Sequence, residues 1–318
     1  MDLAIMGTGT VGGSVAELAA DYGHSVTAMA NVASAAIDPA GIDVAAALDR
    51  QASEGESALG DADPEAVLDA DYDALVEVTP VTLDDAQPGF GHVEAALDRD
   101  KHVVLANKGP IAERYADVRA LERASAGEVR FEATVAGAIP VLSTVEDYGP
   151  DKITAARGIL NGTANFILSR MAAEGLGYEH VLAEAQDLGV AETDPAFDVE
   201  GTDAALKCVI LANVLAGGER TYTLDDATVE GIQNVPGSAL DLAGEDGRTI
   251  RLIGEVADGE VRVGPRLVPE HSELAVTGTT NIVQLETANA GRLNLSGRGA
   301  GGPETASAIL ADIERLSE

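Results

Sequence analysis

Met1-Asp2-Leu3-Ala4-Ile5-Met6-Gly7-Thr8-Gly9-Thr10-Val11-Gly12-Gly13 decides how the rest of the chain is read. The apolar run 3–6 reads as a strand, Gly7 to Gly12 as a tight turn, and 11–22 as a helix. In such a strand–turn–helix the first glycine permits the turn and the second lets backbone approach a pyrophosphate. The third lets the helix pack closely on the strand, with the helix N-terminus facing the negative charge. Gly7, Thr8, Gly9, Thr10, Val11 and Gly12 therefore point to dinucleotide binding. An acidic partner for the adenosine ribose is expected about 20 residues later, at the end of the second strand. Asn31 holds that place and the first basic residue is Arg50, so NAD and NADP both stay open.

Outward from the turn, strands are expected at 25–30, 74–78 and 102–106, and helices at 65–69, 92–98 and 113–124. Strand alternating with helix argues for a doubly wound parallel sheet. Residues 51–64, polar and rich in Gly, Ser and Asp, read as an exposed loop. From about residue 129 the texture changes. Strands are expected at 129–135 and 153–160, followed by a helical region broken near Gly175–Gly177 and at Gly189. A strong helix at 202–215 stops at Gly217–Gly218. Strand-like segments return at 262–268, 275–285 and 292–295, before a glycine-rich turn at 297–302 and a helix at 303–316. This order fits an α/β chain. A Rossmann-type dinucleotide-binding domain at 1–130 is completed by 297–318, and an α+β domain for substrate binding and dimerisation is inserted at 131–296.

Fifty-four acidic against twenty basic residues give a net charge of −34 over 318 residues. Such a field repels nucleic acid and anionic membranes, which excludes both as partners. The 46% hydrophobic content is too high for a disordered acidic chain. A surface adapted to high salt is expected, because the screening length falls to about 3 Å at 1 M. No apolar run approaches the roughly 20 residues that span a bilayer. With no basic leader at the N-terminus and only Cys208 as a thiol, a cytoplasmic globular protein is expected.

Lysines are scarce: Lys101, Lys108, Lys152 and Lys207 are all there are. Lys108, in Ala106-Asn107-Lys108-Gly109-Pro110, follows an expected parallel strand, at the edge where open α/β sheets bind ligands. Asp203 and Lys207 lie four apart on the expected helix 202–215 and so share one face. An ordinary surface ion pair has the same spacing, but Ala204, Ala205, Leu206, Cys208, Val209, Ile210 and Leu211 surround this one. The pair is therefore expected in a partly buried cleft, where charge and desolvation tune a lysine for proton transfer.

Gly158-Ile159-Leu160-Asn161-Gly162-Thr163-Ala164-Asn165-Phe166-Ile167-Leu168 resembles the signature that opens the substrate domain of the homoserine dehydrogenase family. The run from Glu192-Thr193-Asp194-Pro195 through Asp198 to Asp203 and Lys207 is similar to its catalytic segment, and Asn107-Lys108-Gly109-Pro110 and Glu132-Ala133-Thr134-Val135 also match. The closing Gly299-Ala300-Gly301-Gly302 fits too, although Arg298 stands where the family pattern has proline. The resemblance implies NAD(P)-dependent interconversion of L-aspartate 4-semialdehyde and L-homoserine. It implies that Lys207 donates the proton to the developing alkoxide and that Lys108 assists beside cofactor and substrate. Glu192, Asp198, Asp203 and Thr163 would bind or support the substrate, with capping of a helix the other reading of Thr163. Asn31, Thr79, Pro80 and Gly301 would join the glycine turn and Lys108 around the cofactor. A sodium or potassium ion would sit at Glu132, Val135, Gly137 and Ile139, mostly on backbone carbonyls. A homodimer or homotetramer without an appended amino-acid-sensing domain is expected. The rival readings are a related Rossmann dehydrogenase with another amino-acid substrate and a non-catalytic NAD(P)-sensing regulator. The first leaves the 158–168 and 192–207 motifs unexplained, and the second leaves the two lysines without a role.

Overall fold

The computed structural model describes residues 1–317, which divide into two compact units. The first comprises residues 1–138 and the chain from Ala300 onward. Its elements run β1 (Asp2–Met6), α1 (Thr10–Leu18), β2 (Ser25–Ala30), β3 (Ala35–Ile37), α2 (Val44–Glu54), β4 (Ala74–Glu77), α3 (Gly89–Leu97) and β5 (His102–Leu105). Then come α4 (Gly109–Glu113), α5 (Tyr115–Ala124), β6 (Val129–Arg130) and α6 (Ala133–Ala136). The sheet order is β3-β2-β1-β4-β5-β6. All pairs are parallel except β2 with β3. β1 has β2 on one side and β4 on the other, so the topological switch lies at its carboxyl end, where doubly wound sheets hold ligands. Leu3, Ala4 and Ile5 are wholly buried, the continuous apolar pattern of a strand covered on both faces.

The second unit covers residues 139–299. It contains α7 (Val141–Tyr148), β7 (Ile153–Ile159), α8 (Gly162–Glu174), α9 (Tyr178–Asp187), α10 (Ala196–Val199), α11 (Thr202–Leu215) and β8 (Ala227–Val229). These are followed by α12 (Gly237–Glu245), β9 (Arg248–Ala257), β10 (Glu260–Pro269), β11 (Thr280–Thr287) and β12 (Gly291–Arg298). Its sheet runs β12-β11-β7-β9-β10-β8, antiparallel except for β8 with β10. Helices α8, α11 and α12 pack on β9, and α11 is buried from Asp203 to Asn213. Gly254 of β9 leaves the room that Cys208 of α11 occupies, since a Cβ there would collide with its Sγ. Full burial pushes the Cys208 thiol up to about 12, so it is inert packing rather than a nucleophile. Helix α13 (Gly302–Ile313) belongs again to the first unit, where Ala306, Ile309, Leu310 and Ile313 join Leu3, Ile5 and Val15 in one apolar core.

The mixed α/β architecture with a doubly wound sheet is the one read from the sequence, but several elements differ locally. The expected loop 51–64 begins as helix: Asp43 Oδ1 accepts the Ala46 N–H and starts α2, which continues through Gln51 to Glu54. The expected strand 129–135 stops at Arg130. The Glu132 N–H donates to Asp312 Oδ2 at 2.7 Å instead of to a neighbouring strand, and α6 begins at Ala133. Residues 275–279 precede β11 rather than belonging to it. β9, central in the second sheet, was not expected. It carries Arg251 at a buried position, and that charge masks the strand pattern. The guanidinium is satisfied by the Val276 and Ile250 carbonyls and by Thr249 Oγ1.

Candidate active site

In the first unit, Gly7 adopts φ +107°, and a Cβ there would stand 2.8 Å from the Val78 carbonyl oxygen. A Cβ at Gly12 would collide with the Gly7 carbonyl and lie 3.0 Å from Val78 Cγ2. Gly9 is the opposite case, with nothing within 4 Å of its Cβ position. It begins α1 without a side-chain cap, so the first-turn N–H groups are available to an anion from outside the chain. Open space over Gly9 and close packing at Gly7 and Gly12 are what a dinucleotide cradle needs, and these residues fit that cofactor. The buried Thr8 donates through Oγ1 to Gln51 Oε1 at 2.7 Å, and Gln51 Nε2 returns a bond to the Thr8 carbonyl. Thr10 and Val11 open α1. Gly301, at φ +127°, starts α13, and a Cβ on the adjacent Gly302 would be 2.8 Å from the Thr10 carbonyl oxygen. The start of α13 is thereby held against the start of α1.

Asn31 is committed locally. Its Oδ1 accepts the Ala33 and Ser34 N–H groups, while Nδ2 donates to the Glu56 carbonyl at 2.9 Å and faces Gln51 Oε1 at 3.3 Å. It pins the loop after β2, and Gln51, on α2 rather than in the expected loop, joins the loop after β2 to the glycine turn. Thr79 and Pro80 follow β4, and Lys108 begins α4 immediately after the buried Asn107.

Glu132 is buried just before α6, Val135 lies inside it, and Gly137 follows at φ +56°. The Glu132 carbonyl accepts the Val135 N–H at 3.3 Å and the Ile139 carbonyl accepts the Val141 N–H at 2.8 Å. Among the described residues no group of three or more His, Cys, Asp and Glu is placed to hold a metal ion.

The second unit gathers a polar cluster where β7 meets α8. Lys207 Nζ donates to Asp203 Oδ2 at 2.6 Å and to the Leu160 carbonyl at 2.7 Å, and both side chains are only about a tenth exposed. Asn161 caps α8 through Oδ1, which accepts the Ala164 N–H at 2.8 Å. Its Nδ2 bridges two carboxylates, Asp198 Oδ1 at 2.6 Å and Asp203 Oδ2 at 2.9 Å. Asn281 of β11 donates to the same Leu160 carbonyl at 3.1 Å. The cap of α8 is thus Asn161 rather than Thr163, whose Oγ1 donates to the Val190 carbonyl at 3.0 Å. Glu192 lies exposed between α9 and α10, and among the described residues no hydrogen bond joins it to the cluster. Asn161 and Asn281 were not singled out as functional from sequence. Asn161 was signalled by its place before a glycine at a strand–helix junction, and Asn281 by nothing local.

The family model described as "Homoserine dehydrogenase, NAD binding domain" matches residues 7–132, and "Homoserine dehydrogenase" matches residues 140–313. The homoserine dehydrogenase of Methanocaldococcus jannaschii is 40% identical over 98% of this chain and 97% of its own. The chain belongs to the homoserine dehydrogenase family. A solved structure from Archaeoglobus fulgidus, provisionally named a homoserine dehydrogenase, superposes with a TM-score of 0.91 at 41% identity, covering 99% of this chain and 98% of that one. A hyperthermophilic archaeal homoserine dehydrogenase in complex with NADPH gives 0.85 at 27% identity, covering 99% and 96%. As a homoserine dehydrogenase the chain is an NAD(P)-dependent oxidoreductase interconverting L-aspartate 4-semialdehyde and L-homoserine. Among the described residues no helix is long and apolar enough to cross a membrane.

Proposed function

We propose that Lys207 is the proton donor in this reaction, in a cytoplasmic enzyme whose Asp203, Asp198, Glu192 and Thr163 hold the substrate and whose Lys108 assists proton movement beside the cofactor. The observation that carries the reading is the buried Lys207 Nζ between Asp203 Oδ2 and the Leu160 carbonyl. An ammonium has three donor hydrogens, so these two acceptors leave one for a substrate oxygen. A buried ion pair contributes little net stability, because desolvating both charges offsets much of their attraction. Chemistry accounts better than stability for its place in an apolar helix.

Asp198 and Asp203 share the Asn161 amide and stand with one ammonium, leaving a negative balance that suits the substrate's cationic amine. An ammonium directed at the nascent oxyanion stabilises charge where it develops during reduction. A nicotinamide held there would supply the hydride for reduction and take it up in oxidation. Gly7 to Gly12 with Gly301 would hold the pyrophosphate, the loop pinned by Asn31 would border the adenosine ribose, and Thr79-Pro80 would lie on the nicotinamide side.

The test is turnover of L-homoserine with NAD⁺ and with NADP⁺, followed as reduced cofactor in concentrated KCl. Wild type should turn over, and Lys207→Ala should lose about 10²- to 10⁴-fold in kcat, the range for a positioned general acid. Undiminished turnover in Lys207→Ala overturns the lysine's role, and silence from folded wild type overturns the whole reading. Assembly as a homodimer or homotetramer belongs to the proposal, with a sedimentation mass of one chain as the contrary result. Ion binding by the carbonyls of Glu132, Val135, Gly137 and Ile139 is a separate proposal on which no step depends. An unchanged Tm after exchange of sodium and potassium for a bulky organic cation would remove it.

A further inference from the structure

We infer that Glu77 and His92 are positioning residues: a buried carboxylate–imidazole pair that sets the two strand ends carrying Thr79-Pro80 and Asn107-Lys108. The inference rests on the proposed placement of Thr79 and Lys108 beside the cofactor.

Glu77 is the last residue of β4, in register with Met6 of β1 and Leu105 of β5, and is 0% exposed. Its two strand neighbours are apolar, so sheet packing alone gives no reason for a carboxylate there. Burying one costs free energy unless donors surround it. Four donors do. His92 Nδ1 from α3 is 2.6 Å from Oε2, while the Thr79 N–H at 3.0 Å, the Thr79 Oγ1 hydroxyl and Asn107 Nδ2 at 3.3 Å all reach Oε1. Three of these donors converge on Oε1, while Oε2 faces the His92 ring, which donates when Nδ1 bears the ring hydrogen.

The network then spreads to both loops. Asn107, 1% exposed, also directs Nδ2 at Thr79 Oγ1 (3.1 Å) and the Pro80 carbonyl (3.4 Å), while its Oδ1 accepts the Gly109 N–H at 3.0 Å. Lys108 therefore sits between two anchored residues. Gly89, which begins α3, belongs to the same arrangement, because a Cβ there would be 2.6 Å from Asn107 Nδ2. His92 lies three residues further along that helix, so α3 meets the carboxylate through His92 and the asparagine through Gly89. All of this lies at the carboxyl edge of the parallel sheet, where ligands bind in such folds. Glu77 has no path of its own to the reacting atoms. It acts through Thr79 and Asn107, whose loops it holds in one geometry.

The experiment compares Glu77→Gln, His92→Leu and His92→Asn in the full chain, each checked for folding by Tm and for cofactor binding by NADPH fluorescence. Glu77→Gln keeps the shape but places an amide donor among donors. His92→Leu removes the Nδ1 donor, whereas His92→Asn returns a donor near its position. The expected result is a kcat about 10- to 100-fold lower in Glu77→Gln and His92→Leu, the cost of misplacement on the order of an ångström. The Kd of the reduced cofactor should rise by a smaller factor than kcat falls, because Gly7 to Gly12 are untouched, and His92→Asn should recover most of kcat. Wild-type kcat in folded His92→Leu overturns the inference. So does an activity loss that merely follows the folded fraction and is the same in both His92 variants. If Glu77→Gln does not fold, the two His92 variants decide. Absence of homoserine turnover in wild type would instead refute the functional reading, so the two failures are distinct.

Discussion

Alanine at Gly9 and alanine at Gly12 should separate cofactor affinity from stability. At Gly12 the new Cβ would lie 2.9 Å from the Gly7 carbonyl carbon, closer still to its oxygen, and 3.0 Å from Val78 Cγ2. Ordinary contact begins at 3.4 Å, so α1 must move off the turn. Overpacking of this kind costs about 1–3 kcal/mol. The helix propensity of alanine returns about 1 kcal/mol. A clash with rigid backbone takes the upper part of the overpacking range, about 2–3 kcal/mol, so the net loss is about 1–2 kcal/mol and lowers Tm by roughly 2–8 °C for a unit of this size. Gly9 has φ −73° and ψ −162°, which alanine adopts, and its Cβ meets nothing within 4 Å. There the gain of about 0.4–1 kcal/mol through the unfolded chain is offset by the lower preference for alanine at a helix N-cap, so Tm should change little. The methyl group nevertheless occupies the approach to the turn, and cofactor Kd should rise at least about tenfold, or 1.4 kcal/mol. Thermal unfolding and NADPH fluorescence titration read both quantities. Unchanged Kd in Gly9→Ala would show that the pyrophosphate does not cross this turn, and unchanged Tm in Gly12→Ala would refute the close packing.

Lys207→Met leaves the buried Asp203 carboxylate with Asn161 Nδ2 at 2.9 Å, and removing one member of a buried pair costs about 3–5 kcal/mol. In denaturant unfolding the double variant Lys207→Met, Asp203→Leu should regain most of that stability without regaining activity. Burial pushes the Asp312 carboxyl from 3.8 up to about 6, opposed by its bond from the Glu132 N–H. The folded protein thus binds this proton more tightly than the unfolded chain, so the group's stabilising effect is greatest below about pH 4 and is lost as pH rises to about 6, on the order of 3 kcal/mol in all. Asp312→Asn, which keeps an acceptor for Glu132, should flatten stability across that window, and an identical slope in both proteins would contradict it. With a net charge of −34, Tm should climb between about 0.1 M and 2 M KCl, and a flat or falling Tm would refute the high-salt adaptation.

What the sequence made legible was whatever depends on local spacing. The residues 25–30 and 202–215 are β2 and α11 to the residue, because an apolar run ending at Asn31 defines the first and an apolar run stopped by Gly217–Gly218 the second. The four-residue separation of Asp203 and Lys207 became a 2.6 Å contact because a helix enforces it. Partners that come from other elements were not legible. Leu160 reaches Lys207 through a backbone carbonyl, which carries no residue-type signal. Asn281 is 121 residues from Leu160 in the chain. Glu77 and His92 read as a strand end and a helix start, and only the sheet register and the packing of α3 make them a pair. Arg251 hid β9 for the converse reason, since its charge is satisfied by tertiary contacts that no pattern displays.

The most direct test of the central claim is a label-transfer measurement. L-Aspartate 4-semialdehyde is reduced with NAD(P)H deuterated at the transferring position, by wild type and by Lys207→Met. L-Homoserine from wild type should carry one deuterium at the former aldehyde carbon, and the variant should form it at least about 100-fold more slowly. Homoserine free of deuterium, or labelled equally fast without Lys207, would contradict that claim.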